Sequence, residues 1–151
     1  MRTTLLDVNV LIALLWPAHE HHEGAHRWFG SRGKTHWATC PLTQLAFVRI
    51  VSSPAFSSDA LAPSEALALL DRNLAHPGHE FWPDDVGLGN AVGPVAGRLQ
   101  GSRQLTDAYL LGLASRRHGL LASFDRGLRS LAPGGRLSTL ELVPTESTRT
   151  G

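Results

Sequence analysis

The chain has 151 residues, the size of one ordinary domain. Its 42% hydrophobic content is enough for a packed core and excludes a disordered chain, and a single cysteine, Cys40, excludes an internal disulfide framework. A net charge of +1 excludes a polycation, although all but one of the basic residues (Lys34) are arginine.

Thr3-Thr4-Leu5-Leu6 is a short β-rich run that ends at Asp7. From Val8 to Trp16 the apolar residues fall at helical spacing, until Pro17 stops the run. A second helix is expected over Ala18–Arg32, closed by Gly30 and Gly33. His36-Trp37-Ala38-Thr39 reads as a strand, and Pro41 opens a helix reaching about Val51. Ser52-Ser53-Pro54 begins a loop that lasts to Ala62. Ser64 is the expected cap of a helix over Glu65–Ala75, and Glu80-Phe81-Trp82 is a short strand. The glycine-dotted stretch Gly87–Gly101 is weakly helical. Thr106 is the expected cap of a strong helix over Asp107–His118. Strands follow at Leu120–Ser123 and Leu140–Val143.

Short strands alternating with helices predict an α/β fold, with a mostly parallel sheet of four or five strands and helices on both faces. Nothing marks a linker or a repeat, so residues 1–144 are expected to form one domain, with a polar tail over 145–151. No apolar run approaches the roughly 20 residues a membrane helix needs. Val10–Trp16, with Asp7 and Asn9 just before it, is too interrupted for a signal peptide. A cytoplasmic chain with no membrane partner is therefore expected.

Three aspartates occupy related places. Asp7 ends the first strand, Asp125 lies just past the strand ending at Ser123, and Asp107 stands in the first turn of the strongest helix. In parallel α/β sheets the carboxyl ends of strands and the adjoining helix starts share one edge, where ligands bind. Acids gathered there repel, by about 4 kcal/mol for two charges ~4 Å apart at an effective dielectric of 20, so a proton or a cation has to come between them. An all-oxygen site suits Mg²⁺ or Mn²⁺. Aspartate is equally at home at helix starts and turns as a cap, and spacing alone leaves both readings open.

Four strings bear on that choice. Leu5-Leu6-Asp7-Val8-Asn9-Val10 resembles the opening of PIN-domain nucleases, and Trp37-Ala38-Thr39-Cys40-Pro41-Leu42-Thr43-Gln44 resembles their second motif. Gln104-Leu105-Thr106-Asp107-Ala108-Tyr109 is similar to the third, and Ala122-Ser123-Phe124-Asp125-Arg126-Gly127-Leu128 to the fourth. They follow the family's order and span most of the chain, and the Thr106-Asp107 pair points to the VapC-type toxins. The resemblance implies a three-layer sandwich and a Mg²⁺- or Mn²⁺-dependent endoribonuclease acting on RNA of the tRNA or rRNA class. It also implies a VapB-type antitoxin as partner and a homodimer. Asp7, Asp107 and Asp125 carry over as the acidic metal centre, with Asn9 and Thr106 as nearby polar positions. Gln44 departs from the pattern, because the family's second acid is a glutamate. An amide can offer a carbonyl oxygen to a metal but brings no charge and cannot act as a base, which puts a second metal ion in doubt. Arg103, Arg126 and Arg129 flank the third and fourth motifs and are candidates to hold the RNA backbone. Loss of the acid at position 44 leaves a second reading, a PIN fold that binds RNA or its antitoxin without efficient cutting.

Other signals are weaker. His22-Glu23-Gly24-Ala25-His26 spells the H-E-x-x-H pattern of zinc hydrolases, within a histidine-rich stretch that includes His19 and His21. Gly24 weakens the helix that pattern needs, and no third ligand follows at a suitable distance. Gly87-Leu88-Gly89 with Gly93 is not a dinucleotide-binding fingerprint. Trp82-Pro83-Asp84-Asp85 reads as a turn, and the four tryptophans as core or interface anchors.

Overall fold

Five short strands carry the fold: β1 (Thr4–Leu6), β2 (Trp37–Thr39), β3 (His79–Phe81), β4 (Leu120–Ser123) and β5 (Leu140–Leu142). They pair side by side in the order β3-β2-β1-β4-β5, every pair parallel. The structure is a computed structural model that describes residues 2–32, 36–132 and 139–145. β1 lies at the centre, with Leu5 opposite Ala38 on one side and Leu121 on the other.

Successive side chains of a strand face opposite sides of the sheet, and the sequence uses this to build two cores. Leu5, Ala38 and Leu121 turn to one face. There they meet α5 (Leu88–Val92), α6 (Leu105–Arg116) and two 3₁₀ turns, Gly93–Arg98 and Arg126–Leu131. Leu6, Trp37 and Ala122 turn to the other, beneath α1 (Val8–Leu15), α2 (His22–Ser31), α3 (Pro41–Val51) and α4 (Pro63–Leu74). The result is the expected three-layer α/β sandwich. Phe47 of α3 and Leu70 of α4 are wholly or almost wholly buried in the second core, each stabilising the fold by about 1.5–3 kcal/mol. On the opposite face Gly112 lets α6 lie against α5, because a Cβ there would run into the Ala91 backbone. The helix α6 ends in a left-handed turn at His118 (φ 53°), followed by Gly119.

Several boundaries differ from the sequence expectation. α2 begins at His22, since Ala18–His21 forms turns in which the His21 N–H donates to His19 Nδ1 at 3.0 Å. Ser64 does not cap α4. Pro63 takes the first helical position, and Glu65 Oε1 accepts from the Ala62 N–H at 3.0 Å. Thr106 does not cap α6 either, because the chain enters that helix from a 3₁₀ turn (Ser102–Gln104) and Thr106 is already its second residue. The third strand lies one residue earlier than expected, and buried Trp82 follows it with its N–H bonded to Thr39 O at 2.8 Å. Gly33, Lys34 and tail residues 146–151 lie outside the described residues. Among the described residues no helix is long and apolar enough to cross a membrane.

Candidate active site

Every strand is parallel, so the carboxyl ends of β1, β2, β3 and β4 all reach the same edge. α6 leads back into β4 through Gly119, so its first turn opens at that edge as well. Asp7 is the residue at which β1 gives way to α1. Its N–H donates to Ala122 O at 3.0 Å, which continues the ladder with β4, while its Oδ1 accepts from the Val8 N–H at 2.7 Å. The other oxygen, Oδ2, accepts from Ser123 Oγ at 2.9 Å. Ser123 Oγ in turn accepts from the Asp125 N–H at 3.0 Å, and Asp125 Oδ1 from the Gly127 N–H at 2.8 Å. One serine hydroxyl thus ties the first and fourth motifs together across the chain. The role of Ser123 escaped the sequence reading, although its position two residues before Asp125 was a usable sign.

The electrostatics show that the acids share a neighbourhood. Burial pushes the Asp7 carboxyl above its ordinary range, against the hydrogen bonds from Ser123 and Val8, and the charge of Asp125 adds to the rise. Asp107 is pushed up to about 6, first by burial and then by the charges of Asp7 and Asp125. Asp7 is only 6% exposed, Asp107 is half-buried and Asp125 is exposed. Asp7, Asp107 and Asp125 therefore feel one another from three separate elements, as expected.

Carboxylate oxygens are the ligand type that a hard divalent ion takes. Mg²⁺ is held by one or two carboxylates and completes its shell with water and substrate phosphate, and two carboxylates that resist ionising together gain most from such an ion. Among the described residues no group of three or more His, Cys, Asp or Glu side chains is set to hold a metal.

Gln44 lies in the first turns of α3, and its amide Nε2 donates to Thr39 Oγ1 at 3.0 Å. Thr39 Oγ1 is also 2.8 Å from His79 Nε2, and burial pushes the His79 imidazole below its ordinary value, toward the neutral form. Gln44 is thus engaged with the ends of β2 and β3. Asn9 is exposed on α1 and Thr106 is exposed in the first turn of α6. Arg103, Arg126 and Arg129 are exposed in the 3₁₀ turns that flank α6 and β4. All of these lie on segments leading into or out of the carboxylate edge.

The H-E-x-x-H pattern has a structural explanation. His22 Nδ1 is 2.7 Å from Ala13 O, and His26 Nε2 is 2.7 Å from Leu14 O. The two imidazoles, 4.4 Å apart between ring centroids, satisfy carbonyls in the last turn of α1, which otherwise lack helical partners. They join no metal-holding group among the described residues.

A PIN domain profile matches residues 4–133, nearly the whole of the sandwich. The chain belongs to the PIN-domain family. It stands in the VapC branch, being 43% identical over 140 residues to Ribonuclease VapC39 of Mycobacterium tuberculosis, a match covering 91% of this chain and 99% of that one. It is also 41% identical over 139 residues to Ribonuclease VapC38 of the same organism, covering 92% and 96%. Among solved structures, the fold is similar to a chain of VapBC2 from Rickettsia felis bound to a promoter DNA fragment. That match has a TM-score of 0.63 and 12% identity, covering 94% of this chain and 99% of that one. A chain of DNA-bound VapBC from Salmonella typhimurium is similar at a TM-score of 0.60 and 20% identity, covering 95% and 100%. At these identities the structures speak for the fold alone.

Proposed function

We propose that this chain is the toxin of a type II toxin–antitoxin pair, a Mg²⁺- or Mn²⁺-dependent endoribonuclease held in check by a VapB-type antitoxin. Its target is RNA of the tRNA or rRNA class, and it works as a homodimer in the cytoplasm. One observation carries the chemistry: Asp107 is driven up to about 6 by burial together with the charges of Asp7 and Asp125, two residues far away in sequence. An acid centre of this kind on a VapC-type chain supports phosphodiester hydrolysis, and the relatives named above are ribonucleases.

Asp7 and Asp107 would hold the ion. When bound, a hard divalent cation lowers the pKa of a water and offsets the charge that builds on a phosphoryl group. The chain's own residues do the rest. Ser123 fixes the rotamer of Asp7 and, through the Asp125 N–H, the loop that carries the third acid. Asp125, the most exposed of the three, is held by the Gly127 N–H through Oδ1 and presents its other oxygen toward substrate or solvent. Arg103, Arg126 and Arg129 offer guanidinium forks to the phosphates on either side of the cut, with Asn9 and Thr106 as polar contacts at the rim. Gln44 contributes no charge, which favours one ion over two.

Cleavage of labelled RNA titrated with Mg²⁺ or Mn²⁺, and reversed with a chelator, tests this reading. Asp7→Asn and Asp107→Asn should each lose the activity. Cleavage at the wild-type rate by either variant overturns the proposal. Binding of RNA or antitoxin with no metal-dependent cutting would support the alternative that Gln44 suggests, a binding module.

A further inference from the structure

We propose that the cleft between the starts of α3 and α6 is a nucleobase subsite that selects guanine in the nucleotide beside the scissile phosphodiester. This inference rests on the ribonuclease reading. The cleft is shallow and open to solvent, has a volume of about 260 Å³, and is lined by Leu42, Asp84, Leu88, Leu105, Thr106 and Tyr109. That is below the roughly 300–1,000 Å³ of pockets for drug-sized ligands, and it suits one planar base. Its place follows from the topology. Leu42 belongs to the first turn of α3, after β2. Leu105 and Thr106 immediately precede Asp107 in α6, and Asp84 lies just past β3. A base in the cleft therefore belongs to a nucleotide passing the carboxylates.

The walls are apolar and wet. Leu88 is 61% exposed and Leu105 41%, so both present apolar surface to the cleft. Apolar walls of this kind can cover the two faces of an unpaired base. The polar end of the cleft is a single carboxylate. The loop after β3 carries two acids, but Asp85 is engaged with Arg117 at 3.0 Å. Asp84 is oriented by Tyr109, whose hydroxyl donates to its Oδ1 at 2.8 Å. Each carboxylate oxygen has two lone pairs, so Asp84 keeps an acceptor on both oxygens after this bond is made.

A carboxylate here repels a phosphate and suits only hydrogen-bond donors; a ribose 2′-OH offers it one, whereas a base edge can offer both of its oxygens a donor at once. Guanine is the one standard base whose Watson–Crick edge presents two adjacent donors, N1–H and the N2 amine, which match the two carboxylate oxygens. Adenine and cytosine each set a ring-nitrogen acceptor beside their single amine, and uracil sets its one donor between two carbonyls. An acceptor brought against Asp84 is left unpaired and repelled.

The test uses the full-length protein and short unpaired RNA oligomers that differ at one position, with G, inosine, A, C or U. Binding is measured with the Asp107→Asn protein and cleavage with the wild type in Mn²⁺. Guanine should be favoured by roughly tenfold or more over the other standard bases, the size expected of a bidentate contact, and inosine, which lacks the N2 amine, should fall between. Asp84→Asn keeps the acceptor for Tyr109 but offers one donor and one acceptor, so it should lose the guanine preference and gain on adenine or cytosine. Tyr109→Phe should weaken the preference without redirecting it. Binding indifferent to the base, or an Asp84→Asn protein with unchanged preference, overturns the subsite. Guanine-selective binding with no RNA cut in either metal leaves the subsite standing and overturns the nuclease reading instead.

Discussion

Replacing Asp107 by asparagine should stabilise this protein while ending its activity. The carboxyl of Asp107 is pushed up to about 6 from 3.8, first by burial and then by Asp7 and Asp125, so the folded state holds the proton more tightly than the unfolded chain does. A group shifted in this direction helps folding below its unfolded pKa, and that help is lost as pH rises through the folded value. At pH 8 the wild type therefore bears a penalty that the neutral amide does not. A shift of roughly two units corresponds to about 3 kcal/mol at most. Asp107 is only half-buried, and solvent screening reduces this to about 1–2 kcal/mol. For a chain of this length that is a rise in Tm of roughly 3–6 °C. The assay is thermal unfolding of both proteins from pH 8 to pH 4 without divalent ions. The gap should be widest at pH 8, close as pH falls through about 6, and be gone near pH 4. Added Mg²⁺ should raise the wild-type Tm at pH 8 and leave Asp107→Asn nearly unmoved, because an ion that binds only the folded form stabilises it by mass action. A variant no more stable than wild type at pH 8, or a gap that does not depend on pH, would refute the electrostatic account of the site.

Other expectations follow from single contacts. Gly112→Ala should cost about 1–3 kcal/mol or more by urea unfolding, because the new methyl meets the Ala91 backbone where α5 and α6 touch. His22→Ala and His26→Ala should each lower stability by about 1 kcal/mol, through carbonyls of α1 left without partners. Both should keep full RNA cleavage and give no stoichiometric zinc by metal analysis. Gln44→Glu places a carboxylate against Thr39 Oγ1 and restores the family's usual acid, so it should lower the Mg²⁺ concentration giving half-maximal cleavage. An unchanged metal requirement would show that position 44 lies outside the ion's reach.

The acids were legible in the sequence because each sits at a change of element. Asp7 and Asp125 follow short β-rich runs and Asp107 opens a strongly periodic helix, and in a parallel sheet those places fall on one edge whatever the loops do. That the sheet is parallel was legible for a related reason, since strands alternating with helices favour parallel pairing; the order of the strands was not. What escaped depended on contacts between distant segments. Thr106 looks like a cap, yet the 3₁₀ turn before it starts the helix two residues sooner, at Leu105. His22 and His26 share the spacing of a metal pair, and only the approach of α1 shows that their partners are carbonyls. Asp84 reads as a turn residue, yet it lies in an irregular segment outside any turn. Its bond from Tyr109, 25 positions away, could not be read from local pattern. The pairing of Ser123 with Asp7 over 116 positions is of the same kind.

That long-range pairing has a consequence for how the protein is made. A chain emerges from the ribosome with its N-terminus first, and its parts fold as they become available. Asp7 emerges well before its backbone partner, Ala122, and its side-chain partner, Ser123. The strand that would present it lacks one of its two neighbours until then. A nascent copy thus cannot complete the carboxylate edge until β4 has emerged.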